Sequence, residues 1–349
     1  MKKFMRMQIK SFIILFFCIA VNVPALGSIA SDEEGIADKA KKEGKLVVYT
    51  SMNVEDCNPL LQEFQKKYPF IKTELYRTKS QMLLTRLVQE TRAQRYNPDV
   101  ITATFPIWND LIKNDILMKY KSPEAKTLPS RMKDPDGYWT VLYLQLQGIA
   151  YNTDMVPANL APKTYDDLLN PRWIGKKLAM DYRDQPWFAV MLNILGKQQG
   201  LEFMRKLAAQ DLYQRDNKTL LTQLLAAREF PMLANTFLDE VVNLKKQGAH
   251  VEWMPGHNPI PAGSHLIGVY SHSPHPNAAK LFIDFLLSDE GQRVLTIKSH
   301  KFPVKPGIDT ELTRIVKGYE IYPLLPAMMS DYASINKQFS EIFWSKKSK

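Results

Sequence analysis

The sequence predicts an α/β protein of two lobes, each built on a mostly parallel sheet flanked by helices. Residues 43–51, 71–76 and 99–104 have the apolar and β-branched composition of strands, and helical patterns separate them. Strands that alternate with helices in this way are typical of parallel βαβ units. The chain has 349 residues, of which 45% are hydrophobic, and can therefore bury two cores.

The amino-terminal segment, residues 1–27, has the pattern of a secretory signal peptide. A basic head precedes an apolar core at 12–23, which is shorter than the ~20 apolar residues of a spanning helix. An uncleaved membrane anchor is the alternative. The head carries the positive charges of Lys2, Lys3, Arg6 and Lys10, so its removal lowers the net charge from +10 to +6. We therefore expect an exported protein.

The charge and cysteine content exclude some classes of protein. No dense block of Lys and Arg is present, so nucleic acid is not an expected partner. A mildly basic cleft for an anionic ligand remains compatible with the positive surplus. Cys57 is the one cysteine left after signal cleavage, so no intrachain disulfide is expected.

The remaining elements follow in chain order. A helix is predicted to begin at Asn58 and Pro59, residue types that favour a cap and a first helical position. Within residues 138–152, Leu142, Leu144 and Leu146 alternate with Tyr143, Gln145 and Gln147, which predicts a half-buried strand. Further strands are predicted at 177–181, 230–235, 251–254 and 266–270, and further helices at 200–210, 219–228, 237–247 and 278–286.

Polar side chains follow the predicted strands at the edge where a ligand is expected. In open parallel sheets the ligand crevice lies beyond the carboxyl ends of the strands. The candidate ligand-binding residues of the first half are Thr50, Ser51, Asn53, Arg77, Ser80 and Thr102. Those of the second half are Asp181, Arg183, Trp187, Asn235 and His257. Ordinary capping residues, and a core position for Trp187, are the competing interpretations.

Signals of catalysis or of a resident metal are weak. All six histidines lie between His250 and His300, but their spacing is irregular and crosses several predicted elements. No nucleophile elbow, P-loop, dinucleotide-binding glycine motif or HExxH motif occurs. The sequence therefore predicts a protein that is not an enzyme and uses no metal or cofactor of its own.

A long run after the predicted strand at 266–270 resembles the late segment of extracellular solute-binding proteins of ABC importers. The residues in that pattern are Ser273, His275, Pro276, Asn277, Ala278, Ala279, Phe282, Phe285, Leu286, Leu287, Ser288, Glu290, Gly291 and Gln292. GIAYN at 148–152, TYDDL at 164–168 and PRWIGK at 171–176 also resemble this family. The similarity is closest to the branch that includes periplasmic ferric-iron binding proteins.

The resemblance implies a type II periplasmic binding fold whose chain crosses twice between the lobes. The implied limits are 28–146 and 262–349 for lobe 1, with part of the tail packing on lobe 2, and 147–261 for lobe 2. It also implies a periplasmic monomer that closes on a small-molecule ligand by hinge motion and docks on an ABC permease.

One departure from the family pattern bears on the ligand. The iron-binding members use adjacent tyrosines just before the second crossing, whereas this chain has no tyrosine between Phe230 and Pro261. Hydroxyl groups together with Arg77 and Arg183 favour a small anionic or polar ligand instead. Ferric iron or another metal, a ligand-binding role in a membrane sensor, and a secreted hydrolase are the alternatives.

Overall fold

The computed structural model describes residues 28–105, 107–324, 328 and 331–344. The predicted signal peptide, residues 1–27, lies outside these residues. Within the described ranges, no helix is both long enough and apolar enough to cross a membrane.

Helices and strands alternate along most of the described chain. The strands are β1 (Lys45–Thr50), β2 (Lys72–Arg77), β3 (Val100–Thr104), β4 (Leu117–Met118), β5 (Thr140–Asn152), β6 (Leu178–Asp181), β7 (Tyr213–Arg215), β8 (Met232–Phe237), β9 (Val251–Met254), β10 (Ile260–Tyr270), β11 (Phe302–Pro303) and β12 (Ile321–Pro323). The α-helices are α1 (Ser28–Glu43), α2 (Val54–Lys67), α3 (Ser80–Arg92), α4 (Trp108–Lys113), α5 (Gln185–Ile194), α6 (Lys197–Ala208), α7 (Lys218–Ala226), α8 (Leu238–Lys246), α9 (Pro276–Leu287), α10 (Asp289–Lys298), α11 (Glu311–Ile315) and α12 (Tyr332–Phe343). Short 3₁₀ helices occupy Pro123–Thr127, Ser130–Met132, Ala158–Leu160, Tyr165–Leu169 and Pro171–Trp173.

Two parallel groups of strands are joined by two long antiparallel strands. The main strand order is β2-β1-β3-β10-β5-β8-β6-β7. β1 pairs in parallel with β2 and β3 in the first lobe, and β6 pairs in parallel with β7 and β8 in the second. β5 pairs with β10 up to Leu146, and from Gln147 onward it pairs with β8. β5 therefore carries the chain from one lobe into the other.

Aromatic side chains dominate the packing of both lobes. In the first lobe, the ring of Phe64 on α2 lies 4.9 Å from that of Phe282 on α9. In the second lobe, Phe188 on α5 contacts Phe339 on α12 at 5.6 Å between ring centres. The carboxy-terminal helix therefore packs on the second lobe.

Two predicted boundaries in the first lobe were wrong. α2 begins at Val54 rather than at Asn58, and Pro59 lies inside it. Glu55 and Asp56 in the first turn favour this earlier start, because carboxylates stabilise the positive end of a helix. The first strand begins at Lys45 because Glu43 still belongs to α1.

Substitution of Gly291 tests how closely α9 and α10 pack at their junction. A Cβ atom at this position would lie 2.0 Å from the Phe285 carbonyl oxygen and 2.8 Å from Leu286 Cα. Both atoms belong to the backbone and cannot move aside without shifting α9. We expect Gly291→Ala to lower the free energy of unfolding by about 1–3 kcal/mol, measured by urea titration.

Gly35→Ala is the matched control. This glycine lies in α1 with no atom within 4 Å of the added Cβ, so the variant should be as stable as the wild type or about 0.5–1 kcal/mol more stable. Equal stability of the Gly291→Ala variant and the wild type would contradict the packing argument.

Candidate functional site

A solvent-connected cavity of about 170 Å³ lies between the lobes. The first lobe, both crossing strands and the second lobe all contribute to its walls. The lining residues are Thr104, Phe105, Gln145, Gln147, Asp184, Pro186, Lys218, Phe237, Gly263, Ser264 and Leu324. The cavity therefore occupies the place where closure of the lobes would enclose a ligand.

The floor of the cavity is made by the crossing strands and presents amide groups. Gln145 and Gln147 lie on the same side of β5, since side chains two residues apart share one face of a strand. Gln147 Oε1 accepts a hydrogen bond of 3.0 Å from Asn235 Nδ2, which fixes the orientation of its amide. A Cβ at Gly263 would lie 3.3 Å from Gln147 Nε2. The glycine therefore keeps the floor open.

The second-lobe wall contains a buried ion pair. Lys218 Nζ lies 2.6 Å from Asp184 Oδ2, and both side chains are buried. Asp184 also accepts hydrogen bonds from the Trp187 backbone N–H, as the cap of α5, and from Asn235 Nδ2. The ammonium lies 4.5 Å from the ring centre of Phe237. Since an ammonium has three donors, Lys218 retains hydrogen-bonding capacity toward the cavity.

The first-lobe wall is a set of hydroxyl groups at the ends of β1 and β3. Ser80 Oγ lies 2.7 Å from Thr104 Oγ1, and Ser51 Oγ accepts a bond of 3.3 Å from the Thr104 N–H. Thr50 is fully buried, and its Oγ1 accepts a bond of 2.9 Å from the Met52 N–H. Thr104 is therefore the hydroxyl that reaches the cavity, and the other hydroxyls support it from behind.

An arginine marks the outer edge of this wall. Arg77 Nη2 donates to Asn53 Oδ1 over 3.2 Å, and both side chains are exposed. Among the described residues, the structure gives Arg77 no carboxylate partner. Asn53 is the cap residue of α2, yet its side chain bonds Arg77 rather than the helix N–H groups. The guanidinium is thus available to an anion at the mouth of the cleft.

Several helices begin at or beside the cavity. α7 starts at Lys218, α8 follows Phe237, and α3 starts at Ser80. No side-chain cap satisfies the first N–H groups of α3 or α8. The amino end of a helix carries a partial positive charge and free N–H donors. The starts of α3 and α8 therefore offer N–H donors beside the cavity.

The sequence-predicted residues lie close to this cavity but do not line it. Ser51, Ser80 and Asn235 each hydrogen-bond a lining residue. Thr102 is buried, and in the described part of the chain its hydroxyl has no hydrogen-bond partner. Thr50 lies behind the wall and Arg77 and Asn53 at its edge, as described above.

Of the other predicted residues, Trp187 and Asp181 lie beside Asp184, whereas the partners of Arg183 and His257 are outside the cavity lining. Trp187 is fully buried in the second-lobe core, which corrects the interpretation of its ring as a ligand platform. Asp181 Oδ1 accepts a bond of 2.8 Å from the Arg183 N–H, and the Arg183 guanidinium pairs with Asp216 at 3.1 Å. His257 Nδ1 lies 3.4 Å from the Pro259 carbonyl oxygen.

Sequence reasoning missed most of the lining residues. The alternation along β5 could have indicated Gln145 and Gln147, and the position at the end of β3 could have indicated Thr104. Asp184 shares with Asp181 and Arg183 the polar turn after the strand predicted at 177–181, whereas Lys218 follows β7, a strand that was not predicted. Their pairing brings together residues 34 positions apart and depends on tertiary structure.

The donor set at the cavity does not match a metal centre. In the described ranges, no group of three or more His, Cys, Asp or Glu residues could hold a metal ion. The carboxylate that lines the cavity, Asp184, is already engaged by Lys218. A cation would also approach the positive ends of α3 and α8. The cavity lining thus offers amide, hydroxyl and ammonium groups and one carboxylate that is already paired.

Asp181 provides a pH-dependent test of the electrostatics beside the cavity. Burial, and then the nearby Asp184 charge, raise the pKa of Asp181 to about 6. The folded protein therefore holds this proton more tightly than the unfolded chain, and its stability falls as the pH rises from about 4 to about 6. Asp181→Asn should be more stable than the wild type at pH 8 by roughly 1–3 kcal/mol, and equal to it near pH 4, by urea titration at both pH values. A difference that is the same at both pH values would contradict this assignment.

Comparison with known proteins places the chain in a family. The model of the bacterial extracellular solute-binding protein family matches residues 96–318. Iron uptake protein A1 of Synechocystis sp. is 24% identical over 309 residues, which cover 84% of this chain and 85% of that protein. Iron-bound HitA of Pseudomonas aeruginosa superposes with a TM-score of 0.73 at 18% identity, covering 85% of this chain and 99% of HitA.

A structure with an organic ligand is similar to the same degree. AfuA of Actinobacillus pleuropneumoniae, with exogenous fructose-6-phosphate bound, superposes with a TM-score of 0.70 at 21% identity, covering 86% of this chain and 99% of AfuA. These likenesses confirm the predicted two-lobed fold and the predicted resemblance to the iron-binding branch. Because the family model spans more than half of the sequence, the chain belongs to the bacterial extracellular solute-binding proteins, and its predicted solute-binding role in import is confirmed.

Proposed function

We propose that this protein captures a small anionic, polar organic solute in the cavity between its lobes and delivers it to an ABC permease from the periplasm. The observation that carries the proposal is Lys218, a buried ammonium that lines the cavity with donors to spare. The predicted signal peptide and the family support periplasmic delivery. We further propose that the protein acts as a monomer and that its lobes meet at residues 146/147 and 261/262.

The size and chemistry of the cavity support an organic solute. A cavity of about 150 Å³ accommodates a molecule the size of benzene, so about 170 Å³ suits a small organic molecule. Phe105 and Phe237 offer apolar contacts from opposite lobes, and the amides of Gln145 and Gln147 offer donors and acceptors. Such a mixture matches a carbon skeleton with hydroxyl or carbonyl groups and one anionic group.

Closure would bring the hydroxyl wall of the first lobe onto the solute. Ser80 at the uncapped start of α3 and Thr104 would bind polar groups, and Arg77 would pair with the anionic group at the mouth of the cleft. Binding that engages both lobes stabilises the closed form, because only that form makes both sets of contacts.

Ferric iron is the second candidate, favoured by the names of the relatives. Iron uptake protein A1 and iron-bound HitA indicate that iron is handled within this branch. The cavity argues against transfer of that ligand to this chain, since its lining contains no tyrosine, histidine or cysteine. AfuA, which carries fructose-6-phosphate, supports an organic anion on the same fold.

A neutral double variant tests the role of Lys218. Removing Lys218 alone would strand the Asp184 charge, which typically costs about 3–5 kcal/mol. Asp184→Asn combined with Lys218→Met removes both charges and keeps the cap on α5. We expect the wild type to be stabilised by organic anions, by about 2.7 kcal/mol at 100 times the dissociation constant, and the double variant to lose this gain.

The measurement is a thermal-shift screen of the mature protein against inorganic phosphate, fructose 6-phosphate, citrate, ferric citrate and spermidine. Lys72→Met is the matched control, because Lys72 is exposed at the opposite end of β2 from the cleft. The contrary outcome is a thermal shift with ferric citrate but not with citrate, which the double variant retains. That outcome would show that the ligand is iron rather than an organic anion.

Arg77→Ala tests the mouth of the cleft separately. The side chain is exposed and bonds only Asn53 among the described residues, so its loss should leave the melting temperature of the free protein unchanged. We expect the variant to lose at least tenfold in affinity for the anion identified in the screen, by isothermal titration calorimetry. Unchanged affinity would place Arg77 outside the binding site.

A further inference from the structure

A second buried lysine lies on the flank of the hinge. Lys301 stands between α10 and β11 and is 8% exposed. Its Nζ lies 2.7 Å from Asp239 Oδ2 and 3.1 Å from Asp56 Oδ2. Asp56 belongs to the first turn of α2 in the first lobe, whereas Asp239 belongs to the first turn of α8 in the second. One ammonium thus connects helices of both lobes.

The surroundings of this cluster fix it to the crossing strands. β11 begins directly after Lys301 and pairs with β5 at Tyr143 and Leu144. Ser299 Oγ donates a bond of 2.6 Å to the Asp56 carbonyl oxygen, which ties the same segment to α2 a second time. The segment that carries this ammonium is therefore anchored to β5, the strand that links the lobes, and to α2.

The charges hold Lys301 in its protonated form. Burial alone would lower the pKa of its ammonium, but the carboxylates of Asp239 and Asp56 outweigh burial and raise that pKa above its ordinary value. Burial raises the pKa of Asp56 in spite of the nearby Lys301. The cluster is thus a buried cation between two carboxylates, in a geometry that only this arrangement of the lobes provides.

The cluster is linked to the cavity through the helices that it holds. Phe237, which lines the cavity, is the cap residue of α8, and Asp239 follows two residues later. Asn53, the partner of Arg77, is the cap residue of α2 and precedes Asp56 by three residues. A change in the distance between these two helix starts would therefore move Phe237, in the cavity wall, relative to Asn53 and Arg77.

We propose that Lys301 is a positioning residue for solute binding, a clasp that joins Asp56 to Asp239 and sets the angle between the lobes. The clasp touches no solute. It holds the cavity walls at the separation that the solute needs, and without it the lobes sample wider angles. This role does not depend on which solute is bound.

The test measures the distance between the lobes in the protein without any solute. Spin labels are placed at Lys113→Cys on α4 and Gln199→Cys on α6, both at exposed positions of opposite lobes. The native Cys57 is buried and its pKa is raised to about 12 by burial and then by Asp56, so labelling is selective. Pulsed electron paramagnetic resonance then gives the distribution of interlobe distances.

The variant replaces the lysine together with both carboxylates that it contacts: Lys301→Met with Asp56→Asn and Asp239→Asn. We expect a distribution with a longer mean distance and at least a twofold greater width than in the wild type, at a melting temperature equal to or above that of the wild type. A folded variant with the wild-type distribution would overturn the proposal.

Two further variants keep the test decisive. Lys246→Met is the matched control, because Lys246 on α8 pairs with Glu311 on α11 in an exposed contact on the same flank. This variant should keep the wild-type distribution, and widening equal to that of the triple variant would overturn the special role of Lys301. Asp239→Asn retains the pair of Lys301 with Asp56 and releases α8 alone. It should give an intermediate width, and an unchanged width would refute the clasp even if the triple variant did not fold.

Failure of the clasp and failure of the proposed anion are distinguishable. The clasp is judged by distances in the solute-free protein, whereas the anion is judged by stabilisation on addition of a solute. Loss of the thermal shift with wild-type distances would count against the anion alone.

Discussion

β5 and β10 run antiparallel through the middle of the sheet, and each lobe is built against them. On the first-lobe side β5 is flanked by β10 and β11, and from Gln147 onward it is flanked by β8 and β9. Its hydrogen bonds therefore belong to one lobe before Gln147 and to the other after it. Rotation about a few backbone torsions at this point can move the lobes without breaking either ladder. Gln147, where β5 changes its pairing partner, also lines the cavity, so the cavity lies at the point where the lobes meet.

The pattern of the first βαβ units was predictable because each element satisfies a local rule. β1, β2 and β3 were found within two residues of their predicted limits, since their apolar runs are bounded by turn-forming residues. The start of α2 was not predictable from Asn58 and Pro59, because the helix begins four residues earlier, where two carboxylates stabilise its amino end. Cap preferences are weak compared with the position of a whole helix against its sheet.

The candidate site was predictable only in part, because local sequence rules identify polar residues near strand ends but not which of them face the cavity. The rule that ligands bind beyond strand ends led to Ser51, Ser80 and Asn235, which stand one hydrogen bond behind the cavity lining. Asp184 and Lys218 stand three residues beyond the ends of β6 and β7, but no strand was predicted at 213–215, and the two side chains meet only in the folded second lobe. Trp187 follows Asp184 by three residues but turns into the core, which a linear pattern cannot reveal.

The two buried lysines differ in how their donors are used, and this difference separates a structural role from a binding role. Lys301 meets two carboxylates, so the surrounding protein already supplies more than one full counter-charge. Lys218 meets one carboxylate, and that carboxylate also bonds Asn235 and the start of α5. A buried charge with a single partner regains only part of the hydration free energy that it loses on burial. A second anion beside it restores a further part.

Asp184 therefore acts as a resident counter-ion of the Lys218 ammonium. Its Oδ2 contacts both Lys218 Nζ and Asn235 Nδ2, and its Oδ1 accepts from the start of α5, so that the carboxylate uses one of the three ammonium donors. An incoming anion does not need to displace it, since an ammonium can bond two acceptors at once. The cost of burying the lysine is then met during folding rather than at binding, so that contacts with the solute contribute more directly to affinity.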